Sequence, residues 1–201
     1  MTLRRGFKAN AERIAVELRR ELGLDMTSRL DPHALAEYLR LPVLTVAQCA
    51  RVAGSGARHI QLLAAEPDSF SAMTVQFGTQ RYIIHNESQA RTRQANNIVH
   101  EAAHCILQHP LSPVADGVGC RCWHKDFEDE ANWLAGALLV PREGALILAR
   151  SGTSIGEIAE NFGVSVALCR WRVYQTGIPQ QVRSIGSRYS VSRMPSRRRI
   201  D

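Results

Sequence analysis

A helix-dominated α+β chain with one small antiparallel sheet is the fold class that this sequence predicts. Three observations carry it: apolar residues at helical spacing over most of the chain, two short β-rich runs flanking Gly78, and proline or glycine punctuation between the periodic segments. In chain order, Ala9 to Leu22 sets Ile14, Leu18 and Leu22 on one helical face. Asp31-Pro32 followed by Leu35, Ala36 and Leu39 predicts an N-cap, a first-turn proline and a second short helix. Pro42 to Val46 reads as a strand, Gly54-Ser55-Gly56 as a loop, and Met73 to Phe77 with Arg81 to His85 as a hairpin about Gly78. From Ser88 to about Gln108 the pattern is helical, ended by Pro110 and Pro113 before a loop with Gly117 and Gly119. Asp126 to Val140 forms the next helix, closed by Pro141, and short helices follow at 142–149, 154–162 and 165–176.

Composition narrows the class. At 201 residues the chain is long enough for one globular body with a small appendage. No apolar run approaches the ~20 residues of a membrane span, and Met1 to Glu21 is charged throughout, unlike a signal peptide, so a cytoplasmic location is expected. Five irregularly spaced cysteines argue against a disulfide framework and for reduced thiols. The net charge of +6 is concentrated after residue 180, where six arginines against Asp201 give +5 and leave +1 for everything before. The body is therefore nearly neutral, and the tail is expected to be a disordered, solubilising extension.

His100-Glu101-Ala102-Ala103-His104 is the stretch that carries chemistry. At ~100° per helical residue, the two histidines lie roughly 40° apart on one face, so both imidazoles reach a single metal ion. Five-residue matches of this type arise by chance, but Ala95, Ile98, Val99, Ala102 and Ile106 form an apolar stripe on the other side of the helix. The histidines are therefore not core filler. A catalytic zinc takes three protein ligands and leaves a position for water, which requires a third donor. Glu128, Asp129 and Glu130 on the next helix are candidates. That helix has its stripe through Phe127, Ala131, Leu134 and Leu138, and projection puts Glu130 roughly 60° from the stripe centre, Glu128 about 100° and Asp129 about 160°. Glu130 is the one expected to point inward, where a carboxylate needs a partner or a metal. Zinc in such a site acidifies water, and Glu101 is placed to take the proton and pass it to a leaving amine. Tyr82, His109 and His124 are each candidates for a second electrophile, without a basis for choosing among them.

Two further segments are ambiguous. Cys120-Arg121-Cys122-Trp123-His124 lacks the paired spacing of a zinc knuckle and reads as a loop with free thiols, and Cys105 as a small buried hydrophobe. Ile155 to Arg172 carries an Ala159, Gly163-Val164-Ser165 spacing typical of a helix-turn-helix. Arg170 and Arg172 are available for phosphates, but Leu168 and Trp171 are poor base readers, so packing is favoured over DNA binding.

Taken in order, these landmarks resemble the ImmA/IrrE family of bacterial metallopeptidases over roughly residues 9–178. They are Leu18-Arg19 with Leu22-Gly23-Leu24, Leu35-Ala36 to Leu41-Pro42-Val43, Ile83 to Asn86, Arg91 to His104, Glu130-Ala131-Asn132 to Val140-Pro141, and Ile158-Ala159 to Val164-Ser165. The resemblance implies a zincin-like metallopeptidase domain over 1–150 and a helix-turn-helix-like segment over 151–178 packed on it, while the basic tail over 179–201 has no counterpart in the family. It implies His100, His104 and Glu130 as ligands of one Zn2+ per chain, Glu101 as catalytic base, and a helix-turn-helix repressor as protein substrate. Ala102-Ala103 stands where the family more often has a bulky residue and glycine, which leaves the ligands intact. The strand at Tyr82 to His85 is expected at the sheet edge, where it would align an extended substrate. The competing expectation is a noncatalytic regulator of DNA or repressor, or a toxin–antitoxin component, with a purely structural metal.

Overall fold

The computed structural model describes residues 3–53, 70–77, 79–110 and 124–182. The loop at Gly54 to Gly56, the turn residue Gly78, Cys120 to Trp123 and the basic tail from Arg183 onward lie outside the described residues. The described elements are α1 (Phe7–Glu21), α2 (Pro32–Tyr38), β1 (Val43–Thr45), α3 (Val46–Ala53), β2 (Ala72–Phe77), β3 (Gln80–His85), α4 (Arg91–Ile106), α5 (Lys125–Leu139), α6 (Arg142–Arg150), α7 (Ile155–Phe162) and α8 (Val166–Gln175). The fold is α+β and helix-rich, as the periodicity predicts. No helix among the described residues is long and apolar enough to cross a membrane.

The sheet differs from expectation in two respects. Its order is β1-β3-β2, with β3 antiparallel to β2 but parallel to β1, so it is mixed and not wholly antiparallel. Between β1 and β3 the chain passes through α3 and β2, which gives it room to return in the parallel sense. β3 is therefore the central strand, and the expectation that Tyr82 to His85 forms an edge is overturned. Ile83 and Ile84 point to opposite faces, one into the main core and one into a smaller cluster with Val46, Cys49 and Phe70. A strand that buries consecutive side chains must be covered on both faces, which is a mark of a central strand.

α5 is the spine of the molecule. From Ala131 to Leu139 every residue except Asn132 is buried, and α1 and α4 both pack against it. A helix apolar nearly all round needs neighbours on most sides. α1 meets it through Phe7, Ala11, Ala15 and Arg19, an i,i+4 ladder whose last member is charged, while Ile14, Leu18 and Leu22 line the half-buried flank. The buried Arg19 guanidinium reaches the carbonyls of Asp25 and Ser28, and that of Leu138 on α5.

α7 starts with Ser154 and Glu157 in a capping box, Gly163 ends it in the left-handed region at φ 66°, and Ser165 caps α8. Ile158, Ala159, Phe162, Cys169 and Val173 enter the same core as α1 and α5. Arg172 is no phosphate contact: it is 1% exposed and bonded to the Val140 carbonyl and the Glu12 carboxylate.

Candidate metal centre

α4 carries His100, Glu101 and His104, and α5, packed alongside, carries Glu128 and Glu130. Ala95, Ile98, Val99, Ala102 and Ala103 bury the opposite side of α4, so the histidines are turned to the cleft beside α5. His100 Nε2 and His104 Nε2 are 3.1 Å apart. Glu128 Oε2 lies 3.2 Å from the first, and Glu128 Oε1 lies 3.6 Å from the second. For tetrahedral zinc with bonds of about 2.0–2.1 Å, donor atoms stand about 3.3 Å apart. The three groups fit that geometry within a few tenths of an ångström, and each is half-buried.

The donor chemistry fits as well. Two imidazole nitrogens aimed at one point repel unless a proton or cation lies between them. Hydrogen bonds from His100 and His104 hold the Glu128 carboxyl well below the usual carboxylate range. Burial opposes the charged form of His100, but Glu128, Glu101 and Asn132 outweigh it and raise the imidazole above its ordinary value. Two imidazoles and a carboxylate converging on one point form a donor set that could hold a metal ion.

Glu101 lies beside the cluster, and its Oε2 accepts a 2.8 Å hydrogen bond from Thr74 Oγ1 of β2. The carboxylate next to the metal site is thus tied to the outer strand of the sheet.

The structure brings Glu128, not Glu130, to the two imidazoles. Projection of the helix correctly put Glu130 on the inward side, and its side chain is 3% exposed. Inward, however, is not toward the cleft. Glu130 is engaged by Arg4, whose Nε and Nη2 reach its two oxygens at 2.5 and 2.7 Å, and by His109 Nε2 at 3.2 Å. A catalytic zinc keeps one position open to water, and the half-buried Glu128 at the margin of the core suits that better than the buried Glu130. The sequence does carry a signal for this: Glu128 and Asn132 are an i,i+4 polar pair on α5 matching His100 and His104 on α4. Arg4 and Thr74 had no such signal, since each reaches the site from an element distant in sequence.

Of the candidate electrophiles, His109 faces His104 and stacks on Phe127 at 4.5 Å, and the exposed His124 stacks on Phe127 at 4.3 Å. Tyr82 lies on β3 opposite Val75. Cys105 is half-buried and not a full core residue, and burial first of all pushes its thiol above the ordinary value.

A family model described as the IrrE N-terminal-like domain, peptidase M78, matches residues 59–174. No curated protein matches the chain.

Proposed function

Given that the chain belongs to the peptidase M78 family of IrrE N-terminal-like domains, we propose that it is a zinc-dependent endopeptidase that cuts a regulatory protein, a helix-turn-helix repressor by resemblance. The convergence of His100 Nε2, His104 Nε2 and a Glu128 oxygen beside Glu101 is the observation that supports it. Zinc bound by such a donor set supplies a Lewis acid that polarises the scissile carbonyl and acidifies water. Every other step belongs to side chains. Glu101 takes the proton of the attacking water, the oxygen bonds to the carbonyl carbon, and the carbon–nitrogen bond breaks as Glu101 returns the proton to the leaving amine. Thr74 holds one Glu101 oxygen, leaving the other for the water. Because Thr74 sits in β2, with only β3 paired to it among the described residues, an extended substrate adding to the free edge of β2 would lie next to the base.

The alternative of a noncatalytic DNA-binding regulator is weakened by the burial of Arg172. Comparing the proteomes of cells carrying the wild type and Glu101→Gln separates the two. The peptidase reading expects fragments that depend on Glu101, from a protein that accumulates intact in the variant. Identical proteomes, with full biological activity and zinc retained in Glu101→Gln, would leave the metal structural.

A further inference from the structure

Beneath the metal centre, four side chains form a continuous hydrogen-bonded line: His104 Nδ1 to His109 Nδ1 at 3.0 Å, His109 Nε2 to Glu130 Oε2 at 3.2 Å, and Glu130 to Arg4 through both oxygens. We propose that His109, Glu130 and Arg4 are positioning residues that fix the ring orientation and tautomer of the metal ligand His104. This rests on the zinc site proposed above.

The direction of the protons follows from elementary valence. To offer a lone pair from Nε2, neutral His104 must carry its hydrogen on Nδ1. That hydrogen faces His109 Nδ1, which must accept it and therefore carries its own hydrogen on Nε2. His109 Nε2–H then donates to the Glu130 carboxylate, whose two oxygens also accept from Arg4. Within the line from His104 Nδ1 to Arg4 this assignment satisfies every contact, and it is the one that leaves His104 Nε2 free for a metal. The reverse assignment aims a His109 lone pair at a buried carboxylate and places a hydrogen on His104 Nε2, where the metal should be.

The fold holds the line rigid. Gln108 adopts φ 56° at the end of α4, and this left-handed turn brings the chain back so that the His109 N–H reaches the His104 carbonyl at 3.0 Å. This region is strained for a residue other than glycine, and the returning contacts offset the strain. His109 is 4% exposed and lies flat against Phe127 of α5, with an interplanar angle of 23°. The same helix that supplies the ligand Glu128 thus supplies the stacking surface and the carboxylate.

Zinc affinity of the full chain, measured by competition with a chromophoric chelator, tests the proposal, with circular dichroism of the metal-free proteins as a control for folding. His109→Phe keeps the stack on Phe127 but breaks the line, and it should weaken zinc binding about 10–100-fold. His109→Gln offers an oxygen to His104 and an N–H to Glu130, and should recover most of that loss. Glu130→Gln should weaken binding, and combined with His109→Phe should add little, because both act through one line. Wild-type affinity in His109→Phe, with binding abolished in His100→Ala, overturns the positioning role and leaves the metal site standing. So does loss of zinc in Glu130→Gln as complete as in His100→Ala, which would make Glu130 a ligand. If the wild type binds no zinc, or His100→Ala binds it equally well, the metal site itself fails.

Discussion

Replacing Arg19 with methionine tests how α1 is fastened to the helix that carries Glu128 and Glu130. The guanidinium is fully buried, and Nη1 donates to the Asp25 and Ser28 carbonyls at 3.0 and 2.8 Å while Nη2 donates to the Leu138 carbonyl at 3.0 Å. Burial lowers its pKa from 12.5 to about 10. At about 1.4 kcal/mol per unit, holding the charge inside therefore costs about 3–4 kcal/mol. Hydrogen bonds from a charged donor contribute about 1.5–3 kcal/mol each, so three of them yield roughly 6 kcal/mol; the buried Nε, without a partner, costs about 1 kcal/mol, which leaves the arginine a net stabiliser by roughly 2 kcal/mol. Arg19→Met should lower the unfolding free energy by about that amount, because methionine fills the space but leaves the Ser28 and Leu138 carbonyls unpaired, while that of Asp25 keeps the Ser28 N–H. Arg19→Lys should recover little, since one ammonium cannot serve both the loop after α1 and the end of α5. Urea unfolding followed by circular dichroism, with an unchanged m-value, gives the difference. A loss below ~1 kcal/mol, or a more stable variant, would mean that desolvation cancels the bonds, as happens for many buried charges, and would refute the fastening argument.

Further expectations follow from close contacts and titrating groups. An added Cβ at Gly144 of α6 would lie 2.0 Å from the Met26 carbonyl oxygen, so Gly144→Ala should destabilise by about 1–3 kcal/mol although helix propensity alone favours alanine by ~1 kcal/mol; a raised melting temperature contradicts this. Thr74→Val removes the hydroxyl that holds Glu101 and should slow turnover of the cleaved substrate about 10-fold without changing zinc affinity, whereas an unchanged turnover shows that the base needs no such support. His85 is buried, with Nδ1 unpartnered among the described residues, and burial first, then the nearby His33, lower its pKa from 6.5 against the opposing pull of Glu87. Its neutral form is thus favoured by folding, the unfolded chain binds more protons below pH 6.5, and stability falls as the solution is acidified from there. His85→Leu should flatten that dependence in metal-free protein below pH 6.5, and an identical slope rules His85 out as its source.

How much of this was legible depended on sequence distance. α4 with its paired histidines, α5 ending at Pro141, and the capped α7–α8 pair all announce themselves through local periodicity and terminal residues, and the structure reproduces them closely. The hairpin of β2 and β3 was legible for the same reason, but the parallel pairing of β1 was not, since register between distant strands is set by packing on both faces of β3. Within the site, His100 and His104 could be assigned to one face from their spacing alone. The glutamates could not be sorted by amphipathic projection, which measures burial in the core and not proximity to a cleft. Glu130 satisfied the criterion of burial because Arg4, some 126 residues earlier in the chain, neutralises it. Likewise Arg19 occupies an apolar ladder position on α1 that only the carbonyls of a neighbouring loop and helix make habitable.

The most direct measurement of the proposed centre is a crystal structure of zinc-loaded protein with anomalous diffraction recorded at the zinc edge. A single peak about 2.0–2.2 Å from His100 Nε2, His104 Nε2 and a Glu128 oxygen, with Glu130 still held by Arg4 and His109, is the predicted result. A peak bound by the Glu130 carboxylate, or no peak between the two histidines, would contradict it.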